Sequence, residues 1–247
     1  MLIQNKGLVK TIKFKDPKYV GDPLNAVKIF NEKYVDELMV IDIDATRNRV
    51  SPNFNFIKTL AVECRMPLCY GGGVKTPDEA KIIINMGAEK VAISSEVVQN
   101  PLIVRKIADA VGSQSVVCVI DVKKKLFGGY EVYTENGTKS TGIDPVELVQ
   151  KWELEGAGEI IINSIDRDGT MEGYDYKIID KIRTAISLPI SILGGAGSFD
   201  HIRESFQKYG IVGAAAGSLF VFKGKYRAVL ISYPSESEIS RFTNIPA

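Results

Sequence analysis

Asp121 closes the apolar run Val116-Val-Cys-Val-Ile120, which sets a carboxylate at the C-terminal end of a buried strand. An apolar rim disfavours the ionised form, so such a carboxyl rises toward the range useful for general acid or base work. Capping the following loop is the other role open to it. Asp42, Asp44, Asp166 and Asp168 share that rim, and some of them must serve only to orient loops. A second chemistry lies in glycines and hydroxyls. Gly71-Gly72-Gly73 and Gly194-Gly195-Ala196-Gly197 each follow a short apolar run and precede a helical period, and Ser94-Ser95 and Gly217-Ser218 end the neighbouring runs. Backbone N–H groups without a Cβ approach an anion closely, and a hydroxyl beside a helix start completes a cup. Gly72, Gly73, Ser94 and Ser95 make one such cup; Gly194, Gly195, Gly217 and Ser218 make the other. Taken singly, either glycine run serves equally as a tight turn; the matched serines favour two phosphate cups and a ligand with a phosphate at each end.

A third set is Glu37, Lys90 and Glu159, each at the start of an apolar run. Charges inside a barrel are costly unless paired. Two acids flanking one lysine therefore make a ring across the bottom mouth, readable equally as a structural plug or a gated pore. Lys123-Lys124-Lys125 offers a grip on phosphate, though a lysine run in a loop is more often solvated. The single histidine, His201, falls in a polar helical stretch, which argues against a histidine triad or a metal site. Lys plus Arg number 31 against 30 for Asp plus Glu, so no broad field gathers nucleic acid or an anionic membrane. No run approaches the ~20 apolar residues of a membrane span. Cys64, Cys69 and Cys118 sit in or beside apolar runs, as reduced core thiols of a cytosolic protein do.

These residues need a scaffold that gathers strand ends. Leu38–Ile43, Pro67–Tyr70, Val91–Ser94, Val116–Asp121, Ile160–Ser164, Pro189–Leu193 and Val212–Gly217 read as buried parallel strands. Asp22-Pro23, Thr76-Pro77 and Asp144-Pro145 read as helix starts between them. Tyr130–Thr134 and the Glu135-Asn136-Gly137 turn read as a hairpin inserted after strand five. Gly71-Gly72 recurs as Gly194-Gly195 and Val91–Ser95 as Ala214–Ser218 at an offset of 123, and Glu37–Asp44 recurs as Glu159–Asp166 at 122. Two copies of a four-strand unit predict a (βα)8 barrel, residues 1–233, with half-barrels of about 1–112 and 113–233 and a loose tail over 234–247. A doubly wound sheet is the alternative. Strand one is expected to be clipped or nearly absent, since the counterpart of Asp121 falls near residue 2.

The blocks Tyr70-Gly-Gly-Gly73, Gly112-Ser-Gln-Ser115, Ile120-Asp121, Gly156-Ala-Gly-Glu159, Ser164-Ile-Asp-Arg-Asp-Gly-Thr170, Gly173-Tyr174-Asp175 and Gly194-Gly-Ala-Gly197 resemble the cyclase subunit of imidazole glycerol phosphate synthase. The likeness runs from Gly21 to about Phe222. It implies a barrel without cofactor that takes ammonia from a glutaminase docked on its N-terminal face. Ammonia would pass a gate matched by Glu37, Lys90 and Glu159 to a phosphorylated ligand at the C-terminal face. It also implies phosphate-binding roles for Gly73, Ser94, Ser95, Asp168, Gly169, Gly194, Gly195 and Ser218, and an acid–base role for Asp121. The family's second aspartate ends strand one, where Met1–Lys6 has no carboxylate, and the family's gate arginine has no counterpart. Cyclisation is then expected to be weakened, because general acid–base groups supply roughly 10²–10⁴-fold. The pattern is similar to the divergent paralogue found with a glutaminase paralogue and an amidotransferase in surface-polysaccharide gene clusters, implied to help amidinate a sugar. The histidine-pathway cyclase and a non-catalytic scaffold that activates the glutaminase are the alternatives.

Overall fold

The computed structural model describes residues 1–210 and 212–243. Eight strands form one parallel ladder: β1 (Leu2–Gln4), β2 (Leu38–Asp42), β3 (Leu68–Gly71), β4 (Lys90–Ile93), β5 (Val116–Lys124), β6 (Glu159–Ser164), β7 (Ile190–Leu193) and β8 (Gly213–Ala214). Their order in the sheet is their order in the chain. Each is parallel to its neighbours. Among the described residues no ladder joins β8 to β1. The two edges meet instead through the segment after β1: Lys10 lies against Gly217, just past β8, and Lys18 Nζ donates to the Arg227 carbonyl at 3.4 Å. The fold is a (βα)8 barrel.

The helices begin where their capping residues dictate. Asp22 accepts from the Asn25 N–H ahead of Pro23–Glu32, Thr76 and Glu79 form a reciprocal capping box ahead of Pro77–Asn85, and Asp144 accepts from Val146 and Glu147 ahead of Pro145–Leu154. Their apolar faces close on the outward residues of the strands, including Val40, Leu68, Val91, Val116, Ile120, Ile160 and Ile192. Trp152 is fully buried, and its indole N–H donates to the Val97 carbonyl at 2.9 Å, joining the two half-barrels.

The first strand of each half continues into an antiparallel hairpin. After β5 comes Tyr130–Thr134 with Lys139–Ser140, as the Glu135-Asn136-Gly137 turn predicts. After β1 comes Gly7–Ile12 with Lys15–Gly21, which the sequence reading does not include. Its turn places Lys13 and Phe14 at φ 51° and 62°, left-handed positions normally marked by Asn or Gly, so no turn signature announces it. Two further expectations are corrected. The lysine run is not wholly loop, because β5 extends through Lys124. Within the expected loose tail, Glu236–Thr243 is a helix packed on Phe199–Tyr209; residues 244–247 of that tail lie outside the described residues. No helix among the described residues is long and apolar enough to cross a membrane.

Candidate active site at the barrel mouth

Side chains alternate between helix layer and lumen along every strand, which sorts the lumen into layers. Glu37, Lys90 and Glu159 lie at the bottom. Lys90 Nζ stands 3.1 Å from Glu37 and 2.9 Å from Glu159, whose other oxygen accepts from Ser191 Oγ at 2.5 Å. Burial alone would lower the Lys90 ammonium, but the bonds and charge of Glu159, and then of Glu37, outweigh it and hold the proton firmly. Above the ring lies an apolar layer of Cys69, Ala92, Val117, Val119 and Ile161, with Met39, Ile41 and Leu193 against it.

Asp121 continues the inward series of Val117 and Val119 and caps that layer at the mouth. Its Oδ1 accepts from Asn163 Nδ2 at 2.8 Å and its Oδ2 from Ser94 Oγ at 3.2 Å. Burial pushes the carboxyl up to about 7; the two hydrogen bonds pull it down and the Asp168 charge adds to the rise. A carboxyl so held gives or takes a proton near neutrality. Asp121 pairs with Asn163 in the ladder, and Leu2 pairs with Ile41, the counterpart of Asn163 in the first half. Leu2 therefore stands where the first half would carry the equivalent of Asp121, and an aliphatic side chain exchanges no proton.

The sequence-marked residues of the first cup are each engaged by the protein. Gly72 (φ 116°) packs so closely on Asp42 that any Cβ would collide with it, and Gly73 meets the Val50 carbonyl in the same way. The Ser94 hydroxyl donates to Asp121 rather than standing free, and the Ser95 hydroxyl accepts from the Glu135 N–H of the second hairpin at 3.3 Å. The helices after the two cups span Ser95–Gln99 and Ser218–Val221, too short to sum much dipole. Cup chemistry must come from individual N–H groups and side chains.

In the second cup, Gly194 packs on the Ser164 carbonyl and Gly195 on that of Gly173, while His201 Nδ1 accepts from the Gly197 N–H at 3.1 Å and steadies the turn. Asp168 accepts from Thr11 Oγ1 at 2.8 Å and from the Phe14 N–H at 3.3 Å, so the first hairpin lies directly over Asp168-Gly169. That hairpin also buries Lys10 against Gly217. Burial lowers the Lys10 ammonium to about 8 against the opposing pull of Asp168. Burial raises Asp168, while Thr11, Phe14, Lys10 and Arg227 draw it down. Arg227 donates to the Gly169 carbonyl at 3.2 Å and to Ser218 Oγ at 3.4 Å. Sequence reasoning missed Lys10, Thr11, Asn163 and Arg227. The only signal was faint: polar Lys10-Thr11 inside the apolar stretch Leu8–Ile12, and a basic aromatic stretch ending at Arg227. Of the lysine run, Lys124 stands 3.1 Å from buried Asp175 and Lys123 lies over the Tyr133 ring, outside both cups.

The model of the family described as histidine biosynthesis protein matches residues 2–227. The chain belongs to that family. A Vibrio vulnificus protein provisionally named as imidazole glycerol phosphate synthase subunit hisF3 is 54% identical over 239 residues, 96% of this chain and 92% of the relative. A Leptospira borgpetersenii protein, provisionally named as subunit HisF of the same synthase, is also 54% identical, over 96% and 94% of the two chains. The imidazole glycerol phosphate synthase subunit HisF of Clostridium botulinum is 37% identical over 217 residues, 87% of this chain and 86% of its own. This is a HisF-like barrel of the cyclase-subunit type, and its layers acquire meaning in that frame.

Proposed function

We propose that this HisF-like barrel works in a glutamine amidotransferase complex, conducting ammonia from a glutaminase on its N-terminal face to the mouth. There the nitrogen serves, with a further amidotransferase, the amidination of a surface-polysaccharide sugar. The observation that carries the reading is Leu2 in the register position equivalent to Asp121. A barrel with Leu2 in that place lacks the acid–base pair of ring closure, while its charged ring, apolar lumen and polar mouth suit the transfer of ammonia. The 54% relatives, with their provisional names, stand nearer to this chain than the 37% HisF subunit does, which supports a divergent role.

The histidine-pathway cyclase, forming imidazole glycerol phosphate, is the second reading, favoured by Asp121 near neutrality and by both retained cups. Purified barrel supplied with the cyclase substrate and ammonium distinguishes them. Loss of one acid–base partner predicts turnover slowed by about a hundredfold or more; an ordinary cyclase rate overturns the proposal. A scaffold that only activates the glutaminase predicts, in contrast, that Asp121→Asn leaves the complete pathway running.

A further inference from the structure

The two cups differ in charge. At the second, Arg227 is partly buried, stacks its guanidinium 4.6 Å from the Phe222 ring centroid and spends two of its donors on Gly169 and Ser218, which leaves others for a ligand. Lys10 is only 8% exposed, points at Gly217 and forms no ion pair among the described residues. A buried ammonium in that state is costly, and an anion seated between it and Arg227 relieves the cost. Thr11 and the backbone of the first hairpin hold Asp168 as the counter-charge.

The first cup has no such pair. Gly72 rests on Asp42, whose carboxyl is raised by burial and by Asp44, and Ser94 rests on Asp121, raised by burial and by Asp168; neither carboxyl forms an ion pair among the described residues. Lys6 shares an exposed depression with Asp42 and Asp44 but ion-pairs with neither. A phosphate there would face carboxyls with only neutral donors to hold it.

We propose that Lys10 and Arg227 make the second cup the single strong anion seat of this barrel, so that its ligand is one-ended: a phosphate-type group in the second cup, joined to an uncharged, hydroxyl-bearing part in the first. This deepens the functional proposal by naming a ligand for its polar mouth, and rests on reading the two cups there as ligand seats, independently of the ammonia route. A bisphosphate held equally at both ends does not suit this charge distribution, whereas a sugar bearing one phosphate-type end does.

Titrating the full chain with inorganic phosphate by calorimetry tests this. One equivalent is expected, weakened about ten- to a hundredfold by Arg227→Gln, since a charge-assisted bond is lost, and unchanged by Ser95→Ala. In the wild-type protein the Arg227 Nε–H resonance is expected to shift with the same saturation curve, which needs no variant to fold. Two equivalents of similar affinity, or equal weakening by Ser95→Ala, overturn the one-ended ligand and leave the cups standing. A folded chain that binds no phosphate overturns the cups as well.

Discussion

Asp121 keeps its proton to about pH 7, against an ordinary carboxylate value of 3.8, because it sits partly buried on the apolar layer of the lumen, where the charged form is poorly solvated. The folded state therefore binds more protons than the unfolded chain between about pH 4 and 7, and this group's contribution to stability falls as pH rises through that window. Asp121→Asn removes the penalty. The variant is expected to be more stable than the parent at pH 8, by on the order of 2–4 kcal/mol, and the gap should close as pH falls to 4. Asn163 assists the exchange: its Oδ1 is buried without a partner among the described residues, so a flipped amide can accept from the new one. Thermal melts of both proteins across pH check it, and a gap independent of pH would contradict it. Where Asp121 acts as a base, activity rises with pH about a midpoint near 7. The position of Asp121 was legible because a charge ending an apolar run is a period-two signal. Asn163 and Lys10 were not, because a polar residue within such a run gains its meaning from the facing strand or hairpin.

At the scale of elements, the glycines read as phosphate contacts do two jobs, and packing is the one that the geometry fixes. Gly195 combines φ 112° with a close approach to Gly173 O, whereas Gly142 has φ 75° and open space around it. Gly195→Ala is expected to cost more than about 3 kcal/mol and Gly142→Ala about 1–2, by chemical denaturation; equal costs would deny the close approach. Strands, caps and the second hairpin were legible because each has a local signature: apolar runs, Asp-Pro or Thr-Pro starts, an Asn-Gly turn. The first hairpin was not, since its turn is held by Asp168 accepting from Phe14 and Thr11 across the mouth. Thr11→Val removes one of those bonds, and the first hairpin should then exchange its amide hydrogens faster than the second, as hydrogen exchange would record.

For the whole molecule, the internal repeat of the sequence leads to the expectation of a closed barrel with two cups and a ring, yet the stretches it relates are not alike at the mouth. Leu2 holds the register position equivalent to Asp121, and Lys10 and Arg227 gather at one cup. That divergence is invisible in the repeat itself, which records only what the halves share. Below the mouth Lys90 bridges the two acids, Glu37 and Glu159. Lys90→Met leaves Glu37 and Glu159 uncompensated, so glutamine-driven activity should fall while activity driven by added ammonium is spared; equal loss of both would assign the ring a purely structural part. Passage of nitrogen through the lumen is tested with the reconstituted glutaminase complex and its amidotransferase. They are given amide-¹⁵N glutamine with unlabelled ammonium at a concentration too low to drive transfer by itself, and the transferred nitrogen is analysed by mass spectrometry. Passage through the lumen gives a product enriched to the level of the glutamine; dilution to the level of the mixed ammonium pool rules that route out.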